Sequence, residues 1–211
     1  MSRKRWRRDD RVRASIPPLM SIADTLKTLA GKALKPVRAG EQKLAAHKEG
    51  VTDPHAITMS TTSFTPNQPI AAKYSSCDGD SVSPALSWGE PPPGTVELAL
   101  ICEDPDAPFP KPFVHWTMYR MPKALRALPE SVATTETTPQ GARQGKNSGK
   151  KLGYLGPAPP PGHGVHHYHF QLFALDAPLQ LDGEVDRDAL VRAMEGHVLA
   201  MGEVVGTYER K

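Results

Sequence analysis

Proline constrains this chain more than any other residue does. It fills 22 of 211 positions, about twice the usual share of roughly 5%. A proline inside a helix or a central strand removes a hydrogen bond and clashes with its neighbours. A long helical bundle and a coiled coil are therefore excluded, and the absence of a glycine repeat excludes collagen. The prolines cluster at 91–94, 104–112 and 156–164, between runs rich in β-branched and aromatic residues. Those runs, at 57–63, 70–74, 86–88, 96–103, 114–120 and 166–176, read as short strands, and the clusters between them as structured loops. The pattern predicts a mostly β chain, a sandwich or barrel with long functional loops. The run 168–175 fits a strand buried largely on both faces. One helix is expected near the end, capped by Asp186, with Leu190, Met194, His197, Val198 and Met201 as its inward stripe. A short last strand follows at 204–208.

Charge divides the chain. Residues 1–50 hold 13 Lys+Arg and 5 Asp+Glu, whereas residues 51–211 hold 13 and 18, so a basic segment precedes an acidic one. Twelve of the 13 aromatic residues lie after residue 60, which assigns the core to the second segment. Residues 1–18 are charge-rich, end in two prolines and read as disordered. Residues 19–54 read as an amphipathic helical extension. Leu19, Ile22, Ala23, Leu26, Leu29, Ala30, Ala33 and Leu34 share one helical face, and Pro36 ends the helix. A weaker helix is expected at 41–48. The apolar face is expected to dock on the body or on a partner subunit, with peripheral membrane contact as the other use of such a helix. Met20 is a second candidate start. Residues 55–211 form the principal domain.

Several classes are excluded. The longest apolar run, 98–102, is far below the roughly 20 residues of a membrane span. Arg7-Arg8 is followed by Asp9-Asp10 and no apolar stretch, so no export signal is expected. Cys77 and Cys102 make neither a disulfide framework nor a zinc motif and are expected as reduced thiols in a cytoplasmic protein. The basic start carries no nucleic-acid recognition motif, so no nucleic-acid partner is expected. No nucleophile elbow or phosphate-binding loop is present.

Two segments carry chemistry. In the first, Asp104-Pro105-Asp106-Ala107-Pro108 leads to His115-Trp116. In the second, Gly156-Pro157 opens a proline-glycine loop that runs through His163 into His166-His167-Tyr168-His169-Phe170. In a strand His166, Tyr168 and Phe170 share one face, and His167 and His169 the other. One reading gathers His115, His166 and Tyr168 as hydrogen-bond donors in a small pocket, with Asp104 or Asp106 fixing an imidazole. Another makes His163, His167 and His169 the ligands of a metal-dependent enzyme. A third leaves these histidines as surface or core residues.

The same two segments resemble the signature regions of the phosphatidylethanolamine-binding protein family, in its bacterial, Raf-kinase-inhibitor-like branch. Tyr74-Ser75-Ser76-Cys77, Ser83 to Trp88, Lys146-Asn147-Ser148 and Val204 to Tyr208 add to the resemblance, which covers about residues 55–211. It implies a β-sandwich with a few peripheral helices and a C-terminal helix, with the basic helical extension outside the family frame. It also implies an anion pocket made by Asp104, Asp106, Pro108, His115, His166 and Tyr168, with Trp116 and backbone groups of Gly156 and Pro157 nearby. The short stretch from Pro108 to His115 and the particular spacing at 156–164 depart from eukaryotic members and bear on pocket shape. The implied function is non-catalytic binding of a small anionic or phosphorylated ligand, without a cofactor and with no metal site. A kinase or protease is the implied protein partner and a homodimer the implied assembly, and residues 19–34, outside the resemblance, are expected to form the dimer contact.

Overall fold

The computed structural model describes residues 21–51 and 55–211. The segment expected to be disordered, 1–18, lies outside them, as do Leu19 and Met20. Among the described residues the architecture is mostly β, with two antiparallel sheets and two α-helices. Strands β1 (Met59–Ser60), β2 (Leu86–Trp88) and β5 (Ala127–Leu128) make a small sheet in the order β1-β2-β5. The larger sheet has the order β6-β4-β3-β7-β8. Its members are β3 (Glu97–Asp104), β4 (Phe113–Pro122), β6 (Arg143–Gln144), β7 (His166–Leu175) and β8 (Val198–Tyr208).

The period of two along β3 and β7 explains the layers. Leu98, Leu100 and Cys102, with Tyr168, Phe170, Leu172 and Ala174, face the small sheet. Ala99 and Ile101, with Phe173 and Leu175, face the opposite side. Every residue of β3 is buried, as a strand covered on both faces must be.

The second face is covered by α2 (Arg187–Met194) and by residues from the basic segment. Here the structure corrects the assignment of the core to residues after 50. Ala45, Ala46 and Val51 are buried in the second cluster. Buried Glu103 ties them down: its carboxylate accepts from the Ala45 N–H at 2.8 Å, from Gln171 Nε2 at 2.9 Å and from Arg187 Nε at 2.9 Å. The helix expected at 41–48 is two short 3-10 turns, Glu41–Lys43 and Ala45–His47.

Three further expectations differ. The runs at 57–63 and 70–74 are mostly irregular, with only Met59–Ser60 paired as a strand and a 3-10 turn at Ala72–Tyr74. The late helix is capped by Asp186, which accepts from the Ala189 N–H at 3.0 Å, but it ends at Met194. Gly196, at φ +77°, turns the chain, a conformation glycine adopts at little cost. His197 therefore lies in the turn, and Val198 and Met201 belong to β8, which starts six residues earlier than expected and makes this helix internal.

Helix α1 (Ile22–Leu34) forms where the spacing places it, with Ser21 as its cap accepting from the Asp24 N–H at 3.1 Å. Its docked face is the unexpected one. Gly31 is its buried residue, and a Cβ there would lie 1.9 Å from the Pro161 carbonyl oxygen. Ile22, Leu26 and Leu29 point away from the body and are exposed. Among the described residues no helix is long and apolar enough to cross a membrane.

Candidate binding site

The site forms where the C-terminal end of β3, the start of β4 and the start of β7 meet. At the end of β3 the Asp104 side chain folds back on its own turn, and Oδ1 accepts from the Asp106 N–H at 2.8 Å. That leaves Oδ2 facing β7, where His166 Nδ1 lies 2.7 Å away. His115, near the start of β4, has Nδ1 2.6 Å from the Leu155 carbonyl oxygen. A carbonyl only accepts, so Nδ1 carries the proton, and Nε2 has no hydrogen-bond partner among the described residues.

These side chains converge on a cavity of about 240 Å³. Asp104, His115 and His166 supply its polar groups, while Ala107, Pro108, Phe109, Phe113, Leu155, Ala158, Pro159 and Pro160 make an apolar wall. The proline-glycine loop is fixed from behind by residues 74–81. The Gly156 N–H donates to Ser81 Oγ at 2.7 Å, Ser76 Oγ donates to the Gly156 carbonyl at 2.9 Å, and the Ser76 N–H donates to Pro157 at 3.0 Å. A side chain at Gly156 would collide with the Tyr74 carbonyl, 2.1 Å from its Cβ. The prolines and this clamp hold the wall rigid before a ligand arrives.

Of the residues expected in the pocket, Asp104, Pro108, His115, Gly156 and His166 line the cavity. Four others sit elsewhere. Asp106 turns outward and pairs with Arg38, while its Oδ2 accepts from the His167 N–H and lies 2.7 Å from His167 Nδ1. It therefore clamps the turn to β7 and to the basic segment. Trp116 is fully buried in the core, and its indole N–H donates to Gln144 at 2.8 Å. Tyr168 packs edge-on behind His115, with ring centroids 5.0 Å apart, and its hydroxyl is buried without a partner. The Pro157 carbonyl faces Ser76.

His163 and Arg38 are the residues that the sequence did not assign to the pocket. His163 is fully buried directly behind His166, with its Nδ1 2.7 Å from His166 Nε2. Its own Nε2 lies 2.9 Å from the carbonyl of Leu34, the last residue of α1. The flanking Gly162 and Gly164, both at positive φ, are the sequence signal for a tight turn at this point. The chain Asp104–His166–His163–Leu34 contains three hydrogen bonds between groups that need a ring proton each. Two neutral imidazoles carry only two such protons. The complete chain therefore holds one proton more than two neutral imidazoles and a carboxylate carry, shared along Asp104, His166 and His163. Burial pushes His163 below the usual imidazole range.

Burial also pushes His115 below the usual imidazole range, against the opposing pull of Asp104, and raises Tyr168 well above the usual phenol. His115 is thus neutral at neutral pH, with a bare Nε2. That nitrogen accepts from a ligand donor, or takes a proton and donates to an oxyanion. The cavity wall contains no serine, threonine, cysteine or lysine.

The three histidines of the metal reading have three separate partners. His163 meets His166, His167 meets Asp106, and His169 Nδ1 meets Glu203 at 2.9 Å. Among the described residues no group of three or more candidate ligands surrounds one point. Cys77 and Cys102 are free thiols. A second cleft, of about 210 Å³, lies beside the N-terminus of α2, but its Lys111 and Lys146 are engaged by Asp188 and Glu184.

The structure defines a mostly β, two-sheet fold with an aspartate-histidine cluster at its strand ends. The chain belongs to the phosphatidylethanolamine-binding protein family, which it matches over residues 60–209. A UPF0098 protein of Methanothermobacter thermautotrophicus is 41% identical over 154 residues, covering 73% of this chain and 99% of that relative. A UPF0098 protein of Pyrococcus horikoshii is 37% identical over 200 residues, or 93% of each chain. The second match necessarily reaches into the segment before residue 55. A crystal structure of a phosphatidylethanolamine-binding protein homologue from Chlamydia trachomatis superposes with a TM-score of 0.66 at 34% identity, covering 74% of this chain and 99% of that one.

Proposed function

We propose that this chain is a non-catalytic binding and regulatory protein whose cavity takes a small phosphate-type head group. Family membership supports a binding or regulatory role. One observation carries the finer reading: Asp104, His115 and His166 meet at one cavity, and His115 Nε2 is the ring nitrogen among them that has no hydrogen-bond partner among the described residues. The cavity is slightly below the usual range of roughly 300–1,000 Å³ for small-molecule pockets, which suits a head group rather than a lipid tail. A phosphate oxygen placed at Nε2 forms a charge-assisted hydrogen bond once a proton lies between them. Such a bond contributes about 1.5–3 kcal/mol, and with contacts to the apolar wall it makes a weak site of about millimolar affinity, which corresponds to about 4 kcal/mol.

The experiment is calorimetric titration with phosphoethanolamine, with phosphate and ethanolamine as controls. The expected result is saturable binding by the phosphorylated compounds, weakened at least about tenfold in His115→Ala, the loss of one charged hydrogen bond. Equal binding by the variant would remove the site assignment. A phosphorylated segment of a kinase or protease partner is the macromolecular form of the same ligand.

A further inference from the structure

We propose that residues 28–43 are a strap across the two lips of the cavity, and that docking of this strap and binding of a ligand in the cavity strengthen one another. The proposal rests on the phosphate-type reading and deepens it, because it makes Arg38, which does not line the cavity, a positioning residue for the ligand. One lip is the turn after β3, which supplies Ala107, Pro108 and Phe109 to the wall; the other is the proline-glycine loop, which supplies Ala158, Pro159 and Pro160. Asp104 and Asp106 tie the bases of the lips together through His166 and His167. Beyond that point, among the described residues, no hydrogen bond joins 107–112 directly to 156–164.

The strap makes the connection instead. On the loop side it meets backbone with backbone: a Cβ at Gly31 would lie 1.9 Å from the Pro161 carbonyl oxygen, and a Cβ at Gly162 would lie 3.0 Å from the Thr28 carbonyl oxygen. The Leu34 carbonyl lies 2.9 Å from His163 Nε2. On the turn side the Ala39 N–H donates to Ala107 at 3.2 Å, the Gly40 N–H to Pro105 at 2.9 Å and Lys43 Nζ to Pro110 at 2.9 Å. Arg38 stands between the two sets. Its guanidinium pairs with Asp106 on one lip and donates to the Val165 carbonyl at 3.2 Å on the other. The far end is anchored, since Leu44, Ala45 and Ala46 are buried and Glu103 accepts from the Ala45 N–H.

Prolines stiffen each lip internally, so the freedom left to the site is the separation of the lips, which a ligand touching both must fix. A strap that already fixes it lowers the ordering cost of binding. Ala107 shows the link in one residue: its side chain lines the cavity while its carbonyl accepts from the strap. Coupling of this kind is reciprocal, so the ligand holds the strap by the factor with which the strap holds the ligand.

The test is calorimetric titration of the full chain with phosphoethanolamine, joined to amide hydrogen exchange with and without that compound. Arg38→Ala and Gly31→Ala are each expected to weaken binding by about fivefold or more, the low end of typical coupling between sites. Gly31→Ala changes no charge, so a loss in both variants reports the position of the lips and not attraction of the anion by the guanidinium. In the parent chain, saturating phosphoethanolamine is expected to slow exchange at the Ala39 and Gly40 amides, which donate to the turn and lie outside the cavity lining. Binding that both variants retain, or strap amides that do not respond to saturating ligand, would overturn the coupling and leave the phosphate-type reading standing. A loss in Arg38→Ala alone would assign the effect to charge and likewise overturn the coupling. Absence of binding by the parent chain would overturn that reading and the coupling together.

Discussion

His166 Nε2 lies 2.7 Å from His163 Nδ1, and that contact joins the cavity to the end of the N-terminal helix. Asp104 holds the other side of His166, and Leu34 the other side of His163. The chain is complete only with one proton more than two neutral imidazoles carry. Nitrogen-detected NMR near pH 7 is expected to show His163 as the Nε2–H tautomer and His115 as the Nδ1–H tautomer, because each of those nitrogens faces a carbonyl. A His163 without a proton on Nε2 would contradict the link to Leu34.

Removing His163 strips His166 Nε2 of its partner in a fully buried position. His163→Phe should cost about 1–3 kcal/mol, the usual penalty for a buried polar group left unsatisfied. It should also loosen α1, because Leu34 loses its donor. Chemical denaturation measures the first effect and amide hydrogen exchange over residues 22–36 the second. Exchange as slow as in the parent protein would contradict the link.

Acid should destabilise the fold in two stages. His115 and His163 are both held below the usual imidazole range by burial. The unfolded chain then binds more protons than the folded one below about pH 6.5, and stability falls as the pH drops through that region. Asp106 adds a second loss at lower pH. Burial alone would raise it, but hydrogen bonds from His167 and Arg38 outweigh burial and hold it below the usual carboxylate range. Its contribution is present above its unfolded value of about 3.9 and vanishes as the pH falls further. Thermal midpoints measured from pH 8 to about pH 2 should fall below about pH 6.5 and fall again below about pH 3.9. A midpoint that rises on acidification would contradict the assignment.

Arg187 is the cation that compensates Glu103, whose side chain is completely buried. Arg187→Ala leaves that carboxylate with an amide and a backbone N–H but no charge partner. The expected loss is about 3–5 kcal/mol, visible in denaturant midpoints. Glu103 also anchors Ala45, so the basic segment between 39 and 51 should become accessible to protease in the same variant. A loss below about 1 kcal/mol, the range of an exposed pair, would mean that water enters the site.

Gly31→Ala tests how α1 is held. In an exposed helix this change stabilises by roughly 1 kcal/mol. Here the added Cβ lies 1.9 Å from the Pro161 oxygen, which is backbone and cannot swing away. The variant should release α1 from the loop at 160–164, detected as faster hydrogen exchange in both segments.

The long strands were legible in the sequence because their residues repeat every second position and prolines mark their limits. Leu86–Trp88 forms as expected, and β3, β4 and β7 begin or end within two residues of the expected limits. The cavity residues at the strand ends, Asp104, His115 and His166, were legible for the same reason: each sits where an extended run meets a proline-rich turn. Contacts between distant segments were not legible. Nothing local in Ala45-Ala46 signals that two small residues fill the far side of a sheet. The stripe of α1 was visible, but periodicity reports that a face is apolar and not which way it points. The direction depends on Gly31, whose missing side chain permits the close approach. His163 was hidden because its role comes from its depth behind His166, and Asp106 because Arg38, its partner, lies 68 residues away.

The central claim is that a phosphate-type group binds at His115 Nε2. The direct measurement is an NMR titration with phosphoethanolamine that follows the imidazole signals and the ligand phosphorus at two pH values. The account predicts saturable shifts of His115, a change of its Nε2 toward the protonated form, and affinity that rises by up to about tenfold for each pH unit lowered from 8 toward 7. Saturation with His115 unmoved, or shifts confined to the lysines beside α2, would contradict it.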